Sequence, residues 1–245
     1  MVTGLASPGN VQHSILLSPR NRDIASNLAR RFAGVAVASS NQEVADRSDV
    51  VVIAVKPAIA PAVVAELRFR PEQSVISVVS GVSLRKLSEM VKPARHSVRA
   101  VPLPSTAQRI GPTAIYPSDA LAQGLFAAMG TVVAVDTEDQ FEAICAATGT
   151  VAAFYSYVDG IASWLSQNGV PSSIAREYIA KMFLGVASEA TDSDEASFES
   201  LARRHTTAGG LNEQFLRHLT EHGLLKNVGD GLDLLMQRLR KASAQ

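Results

Sequence analysis

The sequence predicts an α/β domain built on a mostly parallel sheet, followed by a domain made only of helices. Short apolar strands alternate with amphipathic helices as far as Asp136, and from Glu138 onward almost every apolar residue recurs at helical spacing. Hydrophobic residues make up 47% of the chain and aromatics only 5%, a balance that suits helices packed on a buried sheet better than a β-sandwich. At 245 residues the chain has room for one large domain or two modest ones. The change of character places a boundary between 1–137 and 138–245.

Each element has its own local signal. HSILLS (13–18) is a short apolar strand, RDIASNLARRF (22–32) an amphipathic helix, VAVAS (35–39) a strand and NQEVADRS (41–48) a short helix. DVVVIAV (49–55) is a continuous β-branched run, expected to be buried on both faces, and Lys56-Pro57 ends it. PAVVAELRFR (61–70) is helical, SVISVVS (74–80) a buried strand, and SLRKLSEMV (83–91) a helix with a serine cap. HSVRAVP (96–102) and TAIYP (113–117) are strands around a polar loop. A helix at 120–130 and the strand TVVAVD (131–136) close the first half. The second half offers a long apolar stretch (141–169) that is one bent helix or two. Helices follow at 173–190, 197–205, 211–223 and 228–242, with a polar turn at 192–195. Small residues recur at Ala146, Ala147, Gly149, Ala152 and Ala153, which permits close helix approach. A helical half this apolar is expected to bury a face against a second copy, giving a homodimer or higher homo-oligomer.

Composition excludes several functions. Lys+Arg and Asp+Glu both number 23, so nothing electrostatic points to nucleic acid or an anionic membrane. No apolar run reaches the length of a membrane span, and the start lacks a charged-then-apolar signal pattern, so a soluble, cytoplasmic protein is expected. The single cysteine, Cys145, excludes a disulfide framework and falls on a helix face. No metal-ligand set is predicted.

Chemistry concentrates in LARRHTTAGGLNEQFL (201–216). Thr206 and Thr207 precede Gly209-Gly210, and Leu211-Asn212 open an apolar-periodic helix. Paired glycines let backbone approach a ligand, and a helix start offers unpaired N–H groups to an anion such as a carboxylate. A threonine-capped helix after a turn accounts for the same residues. In the first half, three turns follow strands, where α/β sheets bind ligands. Ser18, Arg20, Asn21 and Arg22 follow the first strand with no acidic residue before Asp23, a set suited to a 2′-phosphate, although a solvated basic turn reads the same way. Ala54, Val55, Lys56 and Pro57 follow the third strand. Ser80 and Gly81 follow the fourth, with Gly81 leaving room for a flat ring or ribose. A dinucleotide fold ordinarily opens with a strand and a G-x-G-x-x-G turn. MVTGLASPGN instead reads as the end of a first helix, with Gly4 and Gly9 at the wrong spacing. The expectation is an incomplete start, lacking about 15–20 residues of strand, loop and helix.

The stretches DVVVIAVKP, VISVVSGVSL, RAVPLPSTAQRIGPTAIYP, AATGTVAAFYSYVDGIASWLSQNGVP and HTTAGGLNEQFL, in this order, resemble the pyrroline-5-carboxylate reductase family. The resemblance implies a Rossmann-like dinucleotide-binding domain, an all-α dimerisation domain, and reduction of a cyclic imine acid to proline with NADPH, or with NADH. It implies that backbone around Gly210–Asn212 binds the substrate carboxylate, and that Asn212 stands where the family has a threonine facing the ring nitrogen. Three motifs depart. M-P-N-T-P, after the arginine matched by Arg99, is here Val101-Pro102-Leu103-Pro104-Ser105. S-P-G-G-x-T is Thr207-Ala208-Gly209-Gly210-Leu211-Asn212, and S-G-S-G is Ala147-Thr148-Gly149-Thr150. These changes suit another small imino or keto acid as well, and the missing glycine turn leaves open a dimeric scaffold without cofactor. An amide both donates and accepts, so Asn212 can meet an imine or amine nitrogen. His205, which titrates near neutrality, is a second candidate catalytic residue, with packing or capping as its plainer role.

Overall fold

A computed structural model describes residues 1–9, 13–192 and 197–244. The first half runs α1 (Val2–Ala6), β1 (Ile15–Leu17), α2 (Arg22–Arg31), β2 (Val35–Val37), α3 (Asn41–Arg47), β3 (Val50–Ile53), α4 (Ala60–Ala65), β4 (Ser74–Ser77), α5 (Leu84–Met90), β5 (His96–Pro102), β6 (Pro112–Tyr116), α6 (Ala120–Ala127) and β7 (Thr131–Ala134). Helices follow: α7 (Glu138–Ala147), α8 (Thr150–Gln167), α9 (Ser172–Asp192), α10 (Phe198–Arg204), α11 (Leu211–Glu221) and α12 (Leu224–Ala244). Side chains start six of these twelve described helices. Asn21, Ser40, Ser83, Asp119 and Ser197 each accept a backbone N–H of the first turn, and Thr137 with Gln140 forms a full capping box on α7. The polar turn expected at 192–195 lies, beyond Asp192, outside the described residues.

The strands form two sheets. β1 pairs with β2 in parallel, and a second sheet has the order β3-β4-β5-β6-β7, antiparallel only between β5 and β6. One face of the larger sheet packs Val51, Ile53, Val75 and Val79 against Val64 and Leu87 of the crossover helices. The other face packs Ile76, Val98, Ala100 and Ile115 against Phe126 of α6 and Leu5 of α1. α1 is docked tightly: a Cβ on Gly4 would lie 2.2 Å from the Thr106 carbonyl oxygen, and Arg109 donates to the Gly4, Ser7 and Pro8 carbonyls.

β3 departs from expectation. Val51 and Ile53 are buried, but Val50 and Val52 are only half-buried, packed with Ile15 of β1 against the same cluster of Ile76 and Val98. β3 is the outer strand of its sheet: among the described residues, no strand pairs with its second edge, nor with the second edge of β1. Continuous β-branched sequence therefore encodes a central strand, while the described neighbours cover one face fully and the other in part.

The chain divides into two compact units, 1–148 with 236–245, and 149–235. The change of composition at 137/138 precedes this division, because α7 is fastened to the sheet. Arg99 of β5 pairs with Glu138 and Glu142, Phe141 is buried beneath its guanidinium, and Ser243 near the end of α12 donates to Glu142. In the second unit α8 and α9 pack together through Phe154 and Tyr157, both edge-on to Phe183. Phe154, Tyr155, Trp164, Tyr178, Leu184 and Val186 nonetheless remain exposed in the single chain.

Candidate functional site

Of the residues expected to face a dinucleotide, 18–22 directly follow β1 and 54–57 directly follow β3, while Ser80 and Gly81 lie three and four positions past β4, which ends at Ser77 and not at the expected Ser80. After β1, Ser18 Oγ donates to Asn41 Oδ1 at 2.6 Å and accepts from the Arg20 N–H, while Asn21 caps α2 by accepting from Ile24 N–H at 3.2 Å. The polar atoms of Ser18 and Asn21 thus shape the turn. Arg20 and Arg22 are exposed and carry no ion pair among the described residues. Two unpaired guanidiniums on one turn suit a phosphate monoester, which Arg grips bidentately. The turns Ala54–Pro57 and Ser80–Gly81 lie side by side, because β3 and β4 are parallel neighbours in register from Val50↔Ser74 to Ile53↔Ser77. Gly81 has φ +72°, and a Cβ there would meet the Ala242 side chain at 2.9 Å. Its glycine serves this turn conformation and the close approach of α12. Among the described residues, no hydrogen bond joins the turn after β1 to the other two. A nicotinamide dinucleotide fits these residues in part: the cationic turn suits its 2′-phosphate, whereas no described segment supplies a glycine-rich pyrophosphate turn after a strand.

The Gly-Gly loop is a compact local structure. Gly209 has φ +73°, and Gly210 N–H donates to the Thr207 carbonyl at 2.9 Å. A Cβ on Gly210 would stand 2.4 Å from Thr207 Oγ1 and 2.9 Å from the Thr207 carbonyl oxygen, so a side chain there requires the turn to shift. Thr206 Oγ1 donates back to the Ala202 carbonyl. Gly209 N–H is held by Glu213 Oε2 at 2.7 Å, so the two glycine N–H groups already have partners within the chain. The N–H groups of Leu211, Asn212 and Glu213, at the start of α11, have none among the described residues, because Gly210 offers no capping side chain. A carboxylate docked here meets these three, with the helix dipole behind them. Asn212 Nδ2 donates to the His205 carbonyl at 3.0 Å. His205 Nε2 lies 3.1 Å from Glu189 Oε2, and Arg204 pairs with the other oxygen of Glu189. These contacts, Arg204 foremost, hold the Glu189 carboxyl below the usual range. The structure thus groups His205, Thr206, Thr207, Gly209, Gly210, Leu211 and Asn212. Glu189 and Glu213 complete the group, and sequence reading did not single them out. For Glu213 a signal existed: an acidic residue three positions after the N-cap is the capping-box position.

Sequence reading also left unseen the buried cluster around Arg99. Its Nη1 lies 2.7 Å from Glu138 Oε1 and from Glu142 Oε1, while Nε, Nη2 and Glu142 Oε2 are buried without a hydrogen-bond partner among the described residues. Burial and the Glu142 charge push the Cys145 thiol up to about 12. Arg99 lies at the middle of β5, so these pairs tie the start of α7 to that strand.

Comparison with known proteins agrees with this architecture. Residues 1–81 match the family model described as NADP oxidoreductase coenzyme F420-dependent, and residues 138–242 match that for pyrroline-5-carboxylate reductase dimerisation, which supports a homo-oligomer. The chain is 25% identical to the pyrroline-5-carboxylate reductase of Pseudomonas aeruginosa, over 100% of this chain and 93% of that one. It is 27% identical to pyrroline-5-carboxylate reductase 3 of Danio rerio, over 97% and 85%. The solved pyrroline-5-carboxylate reductase of Coxiella burnetii superposes with a TM-score of 0.84 at 27% identity, over 99% of this chain and 93% of that one. No described helix is long and apolar enough to cross a membrane. With a Rossmann-like unit followed by the dimerisation helices, the chain belongs to the pyrroline-5-carboxylate reductase family, oxidoreductases that act on a C=N bond.

Proposed function

We propose that this chain reduces a cyclic imine acid, 1-pyrroline-5-carboxylate to L-proline in the first instance, with NADPH as hydride donor and NADH as a poorer one. The observation that carries the reading is the start of α11, where three unpaired backbone N–H groups stand beside the Asn212 amide. This arrangement matches a carboxylate and a ring nitrogen borne by the same carbon. The nicotinamide, when bound, supplies the hydride.

The chain's own residues bind and orient. The N–H groups of Leu211, Asn212 and Glu213 hold the carboxylate, and the turn of Thr206, Thr207, Gly209 and Gly210 fixes their direction. Asn212 orients the nitrogen. Arg20 and Arg22 grip the 2′-phosphate, with Ser18 and Asn21 shaping their turn, while Ala54–Pro57 and Ser80–Gly81 form the neighbouring strand-end surface. The His205 ring faces Glu189, so the imine takes its proton from water. The domains act as 1–137 for cofactor and 138–245 for substrate and dimerisation. The exposed aromatic faces of α8 and α9 are buried in a cytoplasmic homodimer.

A second reading, reduction of another small imino or keto acid, is favoured by Asn212 itself and by Leu103-Pro104 in the loop after β5. A third, a dimeric scaffold without cofactor, is favoured by the edges of β1 and β3, with which no strand pairs among the described residues. NADPH titration followed by turnover of a panel of cyclic imine and keto acids separates the three. Binding with turnover of pyrroline-5-carboxylate supports the first, and binding with turnover of other acids alone supports the second. Absence of NADPH binding removes both reductase readings.

A further inference from the structure

One hydrogen bond decides what Asn212 has left to offer a ligand. A carbonyl oxygen only accepts, so the amide end facing the His205 carbonyl at 3.0 Å is the nitrogen, and the outward end is Oδ1. No donor among the described residues reaches Oδ1, and the side chain is exposed. The amide cannot readily turn over, because the carbonyl that pins it is itself braced. His205 is anchored through its ring to Glu189 of α9, and Arg204, one residue earlier, pairs with the same carboxylate.

We propose that Asn212 presents a fixed hydrogen-bond acceptor to the substrate nitrogen, so that the site selects the N–H iminium form of a cyclic imine. This rests on the reductase reading above. A hydroxyl in this position rotates to donate or accept and tolerates either protonation state. The braced amide does not. An unprotonated imine nitrogen would face Oδ1 lone pair to lone pair, whereas an iminium N–H donates to it in a charge-assisted hydrogen bond. The form selected is also the electrophilic one, ready to accept hydride. Asn212 thus acts as a specificity residue, with His205 and Glu189 as positioning residues that keep its acceptor outward.

The test compares two substrates on the whole chain with NADPH: a cyclic iminium acid bearing N–H, and its N-methyl counterpart, which carries the same charge and carboxylate but has no hydrogen to donate. Wild-type kcat/KM is expected to favour the N–H substrate by about tenfold or more, the worth of one charge-assisted hydrogen bond. Asn212→Leu, of similar size, should bring the ratio close to one by raising KM for the N–H substrate alone. Asn212→Asp, which keeps an acceptor, should recover most of the preference. Glu189→Gln, which leaves the loop sequence intact, should lower the ratio without abolishing turnover. An unchanged ratio in Asn212→Leu overturns the proposal, since bulk at nitrogen would then explain the preference. Equal wild-type turnover of both substrates overturns it too while leaving the reductase reading in place. Failure of wild type to bind NADPH or turn over either substrate overturns both.

Discussion

A single methyl at Gly210 is the most discriminating perturbation of the α11 start. Its φ of −80° is ordinary, so the cost of Gly210→Ala is contact and not backbone strain. The new Cβ would lie 2.4 Å from Thr207 Oγ1 and 2.9 Å from the Thr207 carbonyl oxygen. The hydroxyl can rotate away. The carbonyl, which accepts the Gly210 N–H at 2.9 Å, moves only if that turn opens. Overpacking costs about 1–3 kcal/mol and a lost hydrogen bond about 1, and the half-open setting places the sum near 2 kcal/mol. A melting midpoint lower by roughly 4–8 °C follows for a chain of this size. Turning the N–H groups of Leu211–Glu213 away from the carboxylate should raise KM for the imine acid by about tenfold. It should lower kcat/KM by up to about a hundredfold, the scale set by a displacement of about 1 Å. Gly209→Ala is the control: nothing lies within 4 Å of its Cβ, and its φ of +73° costs about 1–2 kcal/mol of strain. It should lower the melting midpoint with a smaller effect on KM. Adding Thr207→Ala to Gly210→Ala should not restore binding, because the backbone carbonyl remains. Steady-state kinetics beside thermal unfolding decides the matter. A Gly210→Ala chain that melts lower yet keeps wild-type KM would refute the assignment of this turn to the carboxylate.

Three further outcomes follow from other parts of the molecule. Replacing Arg20 and Arg22 by alanine should weaken NADPH by about 10–100-fold and NADH far less, since each guanidinium–phosphate bond is worth about 1.5–3 kcal/mol at most; fluorescence titration with both nucleotides checks this, and equal losses would contradict it. Cys145, its thiol pushed up to about 12, should react with a disulfide reagent at pH 8 roughly a thousandfold slower in the native chain than after unfolding in urea. Similar rates in the two states would show that α7 leaves the thiol open. Hydrogen exchange should find the amides of β3 that point away from β4 less protected than those of β4, because β3 forms the edge of its sheet.

Much of the fold is legible because its signals are local. β5 is read over its full length from HSVRAVP, α2 starts at Arg22 as expected and Ser83 caps α5, whereas the first helix of the second half begins at Glu138, three residues before the expected 141. The turn before α11 is legible for the same reason: paired glycines and a helix start lie within six residues. What escapes the sequence depends on distant partners. DVVVIAV has the composition of a central strand, and only the sheet order reveals it as an edge. Arg99 and Glu138 stand 39 positions apart, so their pairing, and with it the attachment of α7 to the sheet, has no periodic signature. Gly81 reads as space for a ligand until the far end of α12 is found against it. Asn212 is visible as a departure, but the direction of its amide depends on the His205 carbonyl, which no side-chain pattern encodes.

The most direct measurement is the stoichiometry of the reaction itself. The chain is incubated with NADPH and 1-pyrroline-5-carboxylate, and NADPH oxidation is followed together with chromatographic assay of proline. One proline formed per NADPH consumed, with slower proline formation in Gly210→Ala, is the predicted result. NADPH binding without proline formation would move the substrate to another imino or keto acid. No NADPH binding at all would contradict the reductase function.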